Sequence, residues 1–325
     1  VPEWIPTHIL AQVGLPDVSR AIRDVHFPKN LEDALRAKER FSFEDLFLLQ
    51  CANLLRKQAL RTHRAPVIPT DIEDIKSVIA GLPFVLTFSQ KKSLWEIIGY
   101  IVKPEPMNRL LQGDVGSGKT VVAVLASYLA ARAGYQTAIM APTEVLALQH
   151  YASFKKLFAS LKVPPPVALL TAHSSNIYYE HDLESSVSRS ELVSSLSQEK
   201  IKILIGTHAL IAGDKGGKGR KIAALTLPNL GLVVIDEQHR FGVDQRAKLL
   251  RAQSGMRSRN TGVTSRTMSV RDPSIPHFLS MSATPIPRTL MLTLFGDLDI
   301  SIINELPQGR KSIETKIVAP HEQDA

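Results

Sequence analysis

The stretch that most restricts how this chain folds is Gly113-Asp-Val-Gly116-Ser-Gly118-Lys119-Thr120. Its spacing, G-x-x-x-x-G-K-[ST], belongs to a loop whose backbone N–H groups turn inward on phosphate oxygens, whose lysine reaches the outer phosphates and whose threonine hydroxyl ligates magnesium. That chemistry needs a strand before the loop and a helix after it. Asn108-Arg109-Leu110-Leu111-Gln112 reads as the strand, and Val121 to Ala133, rich in Ala, Val and Leu, reads as the helix. A triphosphate then lies on a helix N-terminus, where unpaired N–H groups and the dipole favour anions. Side chains at Gly116 or Gly118 would obstruct it. Gly113, Gly116, Ser117, Gly118, Lys119 and Thr120 are therefore the expected nucleotide-binding set, with a nucleoside triphosphate and Mg²⁺ as cofactors. A glycine-rich turn that merely contains a lysine leaves the order strand, loop, helix unexplained.

A second apolar run, Leu232-Val-Val-Ile235, ends in Asp236-Glu237-Gln238-His239. One carboxylate at a strand end can hold the Mg²⁺ shell while its neighbour orients or deprotonates the attacking water. Asp236 is expected in the first role, beside Thr120 as metal ligand, and Glu237 in the second. Adjacent acids after a strand also serve as plain helix N-terminal charges. Following a phosphate loop, the catalytic reading is preferred.

Short β-like runs recur from Pro83 onward: Arg109–Gln112, Gln136–Ala141, Val167–Thr171, Ile201–Gly206, Leu232–Asp236 and His277–Ser282. Strands alternating with helices imply an α/β fold, a parallel sheet flanked by helices, with ligands beyond the strand C-termini. Upstream, residues to about Ala80 read as a helical segment, with Asn30 and Ser42 as N-caps and a further helix over Asp71–Ala80. The expected division is 1–80 as a helical extension, 81–312 as the nucleotide-binding domain and 313–325 as the start of another domain. Beginning at Val1 and stopping after a fresh β-like stretch, Ile313–Val318, the chain is expected to be part of a longer protein.

The 325 residues carry a net charge of +8, which suits a polyanionic partner. One cysteine, Cys51, excludes an intrachain disulfide and a cysteine-based zinc site; set among Leu48, Leu49, Leu54 and Leu55 it reads as a small core residue. No signal segment or membrane span is evident, so a cytoplasmic protein with no membrane partner is expected. Two basic stretches, Gly213–Lys221 and Arg246–Arg271, read as loops. The second is either a clamp on DNA backbone or a solvated insertion, the latter preferred.

Asp236-Glu-Gln-His239-Arg-Phe-Gly-Val243, Ser282-Ala-Thr-Pro-Ile-Pro-Arg-Thr289 and Ala141-Pro-Thr-Glu144 resemble motifs of the superfamily 2 helicases and translocases. The neighbourhoods Met107–Thr120, Gly206-Thr-His-Ala-Leu210, Gly296-Asp-Leu-Asp299 and Leu306-Pro-Gln-Gly-Arg-Lys311, with His26-Phe-Pro28 ahead of helical Leu31–Leu55, are similar to one branch of that superfamily, whose members remodel stalled forks and Holliday junctions in recombination and repair. The alternatives are a transcription-repair coupling type translocase on double-stranded DNA and a non-hydrolysing ATP-gated DNA-binding module.

The resemblance implies a first RecA-like P-loop motor domain preceded by a helical linker. It also implies roles for individual residues. Gln90 reads adenine, and Phe84 either stacks on the base or is core. His239 relays hydrolysis to Ser282-Ala283-Thr284, or is a structural hydrogen-bonder. Pro142, Thr143 with Glu144, Thr171, Thr207 and His208 take DNA phosphates at strand C-termini. Arg240 and Arg288 pair with phosphates or with motif carboxylates. Implied partners are DNA, a second RecA-like domain and a wedge domain of the same protein, and single-strand binding protein. Without that second lobe the chain alone is expected to bind ATP weakly, to hydrolyse it slowly and not to unwind DNA.

Overall fold

The computed structural model describes residues 1–161, 163–179, 183–207, 225–237, 274–283 and 296–307. Two compact units emerge, one built on Val1–Thr62 and one that begins at His63. That division falls ahead of the expected 80/81 boundary for a physical reason. Ile68, Ile75 and Val78 are buried in the same apolar cluster as the helices that follow the phosphate loop.

The first unit is helical: α1 (Thr7–Val13), α2 (Val18–His26) and α3 (Leu31–Arg61). Asn30 caps α3 by accepting the Asp33 N–H at 2.8 Å, as its side-chain chemistry favours. Ser42 caps nothing, because α3 runs through it without a break for 31 residues. No glycine or proline lies between Leu31 and Arg61, so one serine has no breaker beside it to stop the helix. Arg40, 0% exposed, holds Glu44 at 2.6 Å one turn on and Glu3 at 3.0 Å, fastening the N-terminal segment to α3. Cys51 is only half-buried, and Leu54 and Leu55 beside it are exposed, so the expected core around it does not form.

The second unit contains α4 (Ile72–Ala80), α5 (Phe88–Ile101), β1 (Asn108–Gly113), α6 (Lys119–Arg132), β2 (Gln136–Ala141), α7 (Glu144–Phe158), β3 (Val167–Leu170), β4 (Ser175–Tyr178), β5 (Glu184–Ser186), α8 (Arg189–Ser197), β6 (Ile203–Thr207), β7 (Leu230–Asp236), β8 (His277–Ser282) and β9 (Asp299–Ile303). The strands form one sheet in the order β5-β4-β3-β6-β2-β7-β8-β1-β9. From β3 to β1 neighbours are parallel, while β4 and β5 add antiparallel. This is the expected RecA-like α/β architecture.

Residue parity sorts the core. Ile139, Ile203, Ile205, Leu232, Val234, Leu279 and Met281 pack on the face covered by α4, α5, α6 and α7. Ala138, Met140, Leu204, Val233, Ile235 and Phe278 face α8. Strands covered on both faces read as unbroken apolar runs, as these do. Helix α6 is buried at every residue from Val121 to Ala131, so it forms the floor from which the phosphate loop rises.

Candidate nucleotide site and strand-end surface

The register of the sheet brings the two nucleotide motifs to one edge. β1, which leads into the phosphate loop, pairs with β8, with Gln112 opposite Ser282; β8 pairs with β7, with Met281 opposite Asp236. Val115, Gly116, Lys119 and Thr120 from the loop, Asp236 and Glu237 from β7, Ala283 after β8, and His150 with Gln149 from α7 line a single cleft of about 340 Å³.

The loop is shaped by its glycines. Gly116 and Gly118 adopt φ of 78° and 89°, left-handed values that L side chains rarely take. A Cβ on Gly118 would stand 2.2 Å from Gln90 Nε2, and one on Gly113 would stand 2.5 Å from Ser117 Oγ. Lys119 Nζ donates to the carbonyls of Gly113 at 2.7 Å and Asp114 at 2.9 Å, which lays its ammonium across the loop. Burial pulls the Lys119 pKa below the usual lysine value, and the carboxylates of Asp236, Glu237 and Asp114 only partly offset it. Ser117, 1% exposed, has an Oγ without a partner among the described residues. This donor set, a helix N-terminus with lysine and hydroxyls facing carboxylates, fits a magnesium-bound triphosphate.

Glu237 leaves β7 with φ 54°, a conformation costly for a residue with a Cβ, and its N–H is held by Met281 O at 3.0 Å. Strain of this kind at a strand end re-aims the side chain that follows Asp236. Asp236 sits on the face covered by α6 and α7, by the parity of Leu232 and Val234. There its Oδ2 meets His150 Nε2 at 2.7 Å.

Gln90 lies beneath the phosphate loop. It is 2% exposed, its Nε2 donates to Ser117 O at 2.7 Å, and its Oε1 accepts the Thr87 N–H at 2.9 Å in the capping box of α5. Through these two bonds Gln90 braces the phosphate loop from below. Phe84 is 44% exposed and so is not a core residue.

The strand-end residues gather on the other half of the edge. Thr207 at the end of β6 lies opposite Ala141 of β2, and Leu170 of β3 lies opposite Gly206. Thr143 caps α7 by accepting the Leu146 N–H at 3.3 Å, with Pro142 beside it half-buried. Thr171 is 2% exposed; its hydroxyl donates to Glu144 Oε1 at 2.6 Å and accepts the Ser174 N–H at 2.9 Å, so it points inward instead of offering itself to solvent. His173 Nδ1 meets the other Glu144 oxygen at 2.9 Å. The hydrogen bonds from Thr171 and then His173 hold the Glu144 carboxyl below its ordinary value. Ser282 is buried at the end of β8 and Ala283 lines the cleft. His208, His239, Arg240, Thr284, Arg288 and the two basic loops lie outside the described residues.

Sequence reasoning missed His150. Its signal was a polar residue breaking the apolar stripe Ala147, Tyr151, Phe154, Leu157 and Phe158 of α7. Among the described residues no helix is long and apolar enough to cross a membrane.

The DEAD/DEAH box helicase family matches residues 89–292. The chain is 41% identical over 322 residues to the ATP-dependent DNA helicase RecG of Aquifex aeolicus, covering 97% of this chain and 36% of that protein. It is 41% identical over 320 residues to RecG of Synechocystis, covering 98% of this chain and 34% of that one. A solved structure of RecG bound to a three-way DNA junction superposes with a TM-score of 0.71 at 35% identity, over 96% of this chain and 36% of the other. The chain thus spans about a third of the length of these relatives, and RecG is the branch that its motif neighbourhoods resemble.

Proposed function

The chain belongs to the DEAD/DEAH box helicase family, and on that premise we propose that it is the ATP- and magnesium-binding half of a cytoplasmic DNA motor that couples ATP hydrolysis to remodelling of branched DNA. The observation that carries this reading is the placement of Lys119 and Thr120 opposite Asp236 and Glu237 across one cleft. The branched substrate is supported by the relative whose structure holds a three-way DNA junction. A second RecA-like lobe and a wedge domain are the proposed partners within the same protein.

Each residue has a physical task. Lys119 exchanges its bonds to Gly113 O and Asp114 O for phosphate oxygens, which releases a partly desolvated ammonium onto an anion. Thr120 and Asp236 would hold the magnesium shell, and the metal would supply charge neutralisation for the triphosphate. Glu237, set at a strained strand end, orients the attacking water. Gln90 keeps the loop in shape from beneath. Pro142, Thr143 and Thr207 form the surface for DNA backbone, with buried Thr171 holding Glu144 beneath it, and contacts of that kind ignore sequence, as a translocating motor requires.

The test compares ATP hydrolysis by this chain and by the full-length protein, with and without a three-way junction. Full-length protein is expected to show junction-stimulated turnover that Glu237→Gln lowers by at least about 10²-fold while nucleotide still binds. The chain alone is expected to turn over slowly. Equal turnover by wild type and Glu237→Gln, or robust junction-stimulated turnover by the chain alone, refutes the reading.

A further inference from the structure

Helix α7 touches both halves of the sheet edge. Its first turn carries Glu144, bonded to Thr171 on the strand-end surface, and its cap is Thr143. Two turns in, His150 reaches Asp236 in the nucleotide cleft with Nε2 and Oδ2 at 2.7 Å. Both side chains are largely buried, at 9% and 13% exposure. An imidazole and a carboxylate are costly to bury unless they satisfy each other, and the apolar face of α7 would pack more cheaply with a hydrophobic residue in that place. The pairing therefore serves something other than packing. An ionised carboxylate only accepts, so the shared proton sits on Nε2 and His150 donates. Carboxylates that hold metals are commonly oriented by such a donor behind them.

We infer that His150 is a positioning residue for the magnesium carboxylate, and that through it helix α7 links the DNA-facing strand ends to the aim of Asp236. The inference rests on the reading of Asp236 as the carboxylate of the magnesium shell. His150 holds one oxygen of Asp236 and leaves the other for the metal shell. A shift of α7 on contact with DNA backbone at Thr143 and Glu144 is transmitted to that carboxylate along one rigid, well-packed element.

The test uses the full-length protein with His150→Ala, His150→Gln and Asp236→Asn. The first readout is equilibrium binding of a fluorescent, non-hydrolysable ATP analogue, titrated with Mg²⁺ and repeated in EDTA. The second is the ratio of junction-stimulated to basal kcat. His150→Ala is expected to raise the Mg²⁺ concentration for half-saturation about ten-fold, within the range for loss of a carboxylate's supporting donor. It is also expected to leave binding in EDTA unchanged and to lower the stimulation ratio. His150→Gln, which keeps an N–H donor, is expected to restore the Mg²⁺ dependence. A merely structural role would lower the melting temperature and move neither readout. If Asp236→Asn shifts the Mg²⁺ titration and His150→Ala does not, the inference fails and the metal assignment stands. If neither shifts it, the metal assignment fails and takes the inference with it.

Discussion

Acidification from pH 7 to 5 is expected to remove about 2 kcal/mol of stability through His277 alone. The residue is 0% exposed at the start of β8. Its Nδ1 accepts the Met107 N–H at 3.1 Å, and its Nε2–H donates to Pro66 O at 2.7 Å, so the neutral ring satisfies both neighbours. A proton on Nδ1 would break the first bond and bury a charge. Burial accordingly pushes the His277 pKa from 6.5 down to about 4, with the Pro66 bond opposing it in part. The unfolded chain takes up a proton near 6.5 and the folded protein only near 4, so this contribution is present in full above 6.5 and is lost as pH falls through that window. A gap of about 2.5 is worth about 3 kcal/mol in full, of which about 2 is gone by pH 5. Urea unfolding of wild type and His277→Gln from pH 7.5 to 4.5 measures it. The variant should be less stable at pH 7 yet lose less on acidification, so that the two curves converge by about 2 kcal/mol at pH 5. Parallel curves would falsify the burial argument.

Gly118→Ala is expected to abolish nucleotide binding without unfolding the protein, since the new Cβ meets the Gln90 amide at 2.2 Å in a left-handed backbone. If the contact with Gln90 is the cause, adding Gln90→Ala recovers part of the binding, and fluorescent-nucleotide titration with no recovery places the damage in the backbone alone. Arg40→Met should destabilise the N-terminal unit by about 1 to 3 kcal/mol, because Glu3 and Glu44 lose their cation and keep only the hydrogen bonds from Ile5, Val18 and Trp4. Chemical denaturation monitored at Trp4 reads this, and a loss under about 1 kcal/mol would contradict it. Glu144→Gln should tighten binding to a junction several-fold at low salt by removing an anion from the phosphate-facing edge, and an unchanged Kd would remove Glu144 from that surface.

The sheet was legible because strands covered on both faces are written as continuous apolar runs: β2 and β8 begin and end at the expected residues, and the phosphate loop sits where its glycines require. Less legible were features set by distant partners. β4 pairs half-buried Ser175 and Asn176 with buried Ile177 and Tyr178, and β5 is an exposed Glu-Ser-Ser, so both are too short and mixed for hydrophobicity or period to mark them. Ser42 has the chemistry of a cap but lies inside a helix held by Arg40, whose carboxylate Glu3 is far off in sequence. At the site, Lys119, Thr120, Asp236 and Glu237 were readable from local spacing. Gln90 was readable only as a residue type, since its engagement by Ser117 and Thr87 depends on the tertiary fold. His150 was hidden for the opposite reason: a single histidine on an apolar helical face carries no spacing motif.

Helix α6 has no wet side from Val121 to Ala131. An element gripped all round cannot tilt or slide without tearing the core, so the phosphate loop above it is a fixed anvil. If the proposed motor reading holds, any stroke must be taken up by pieces that strike against it, and mutations meant to tune speed belong on those pieces, away from α6.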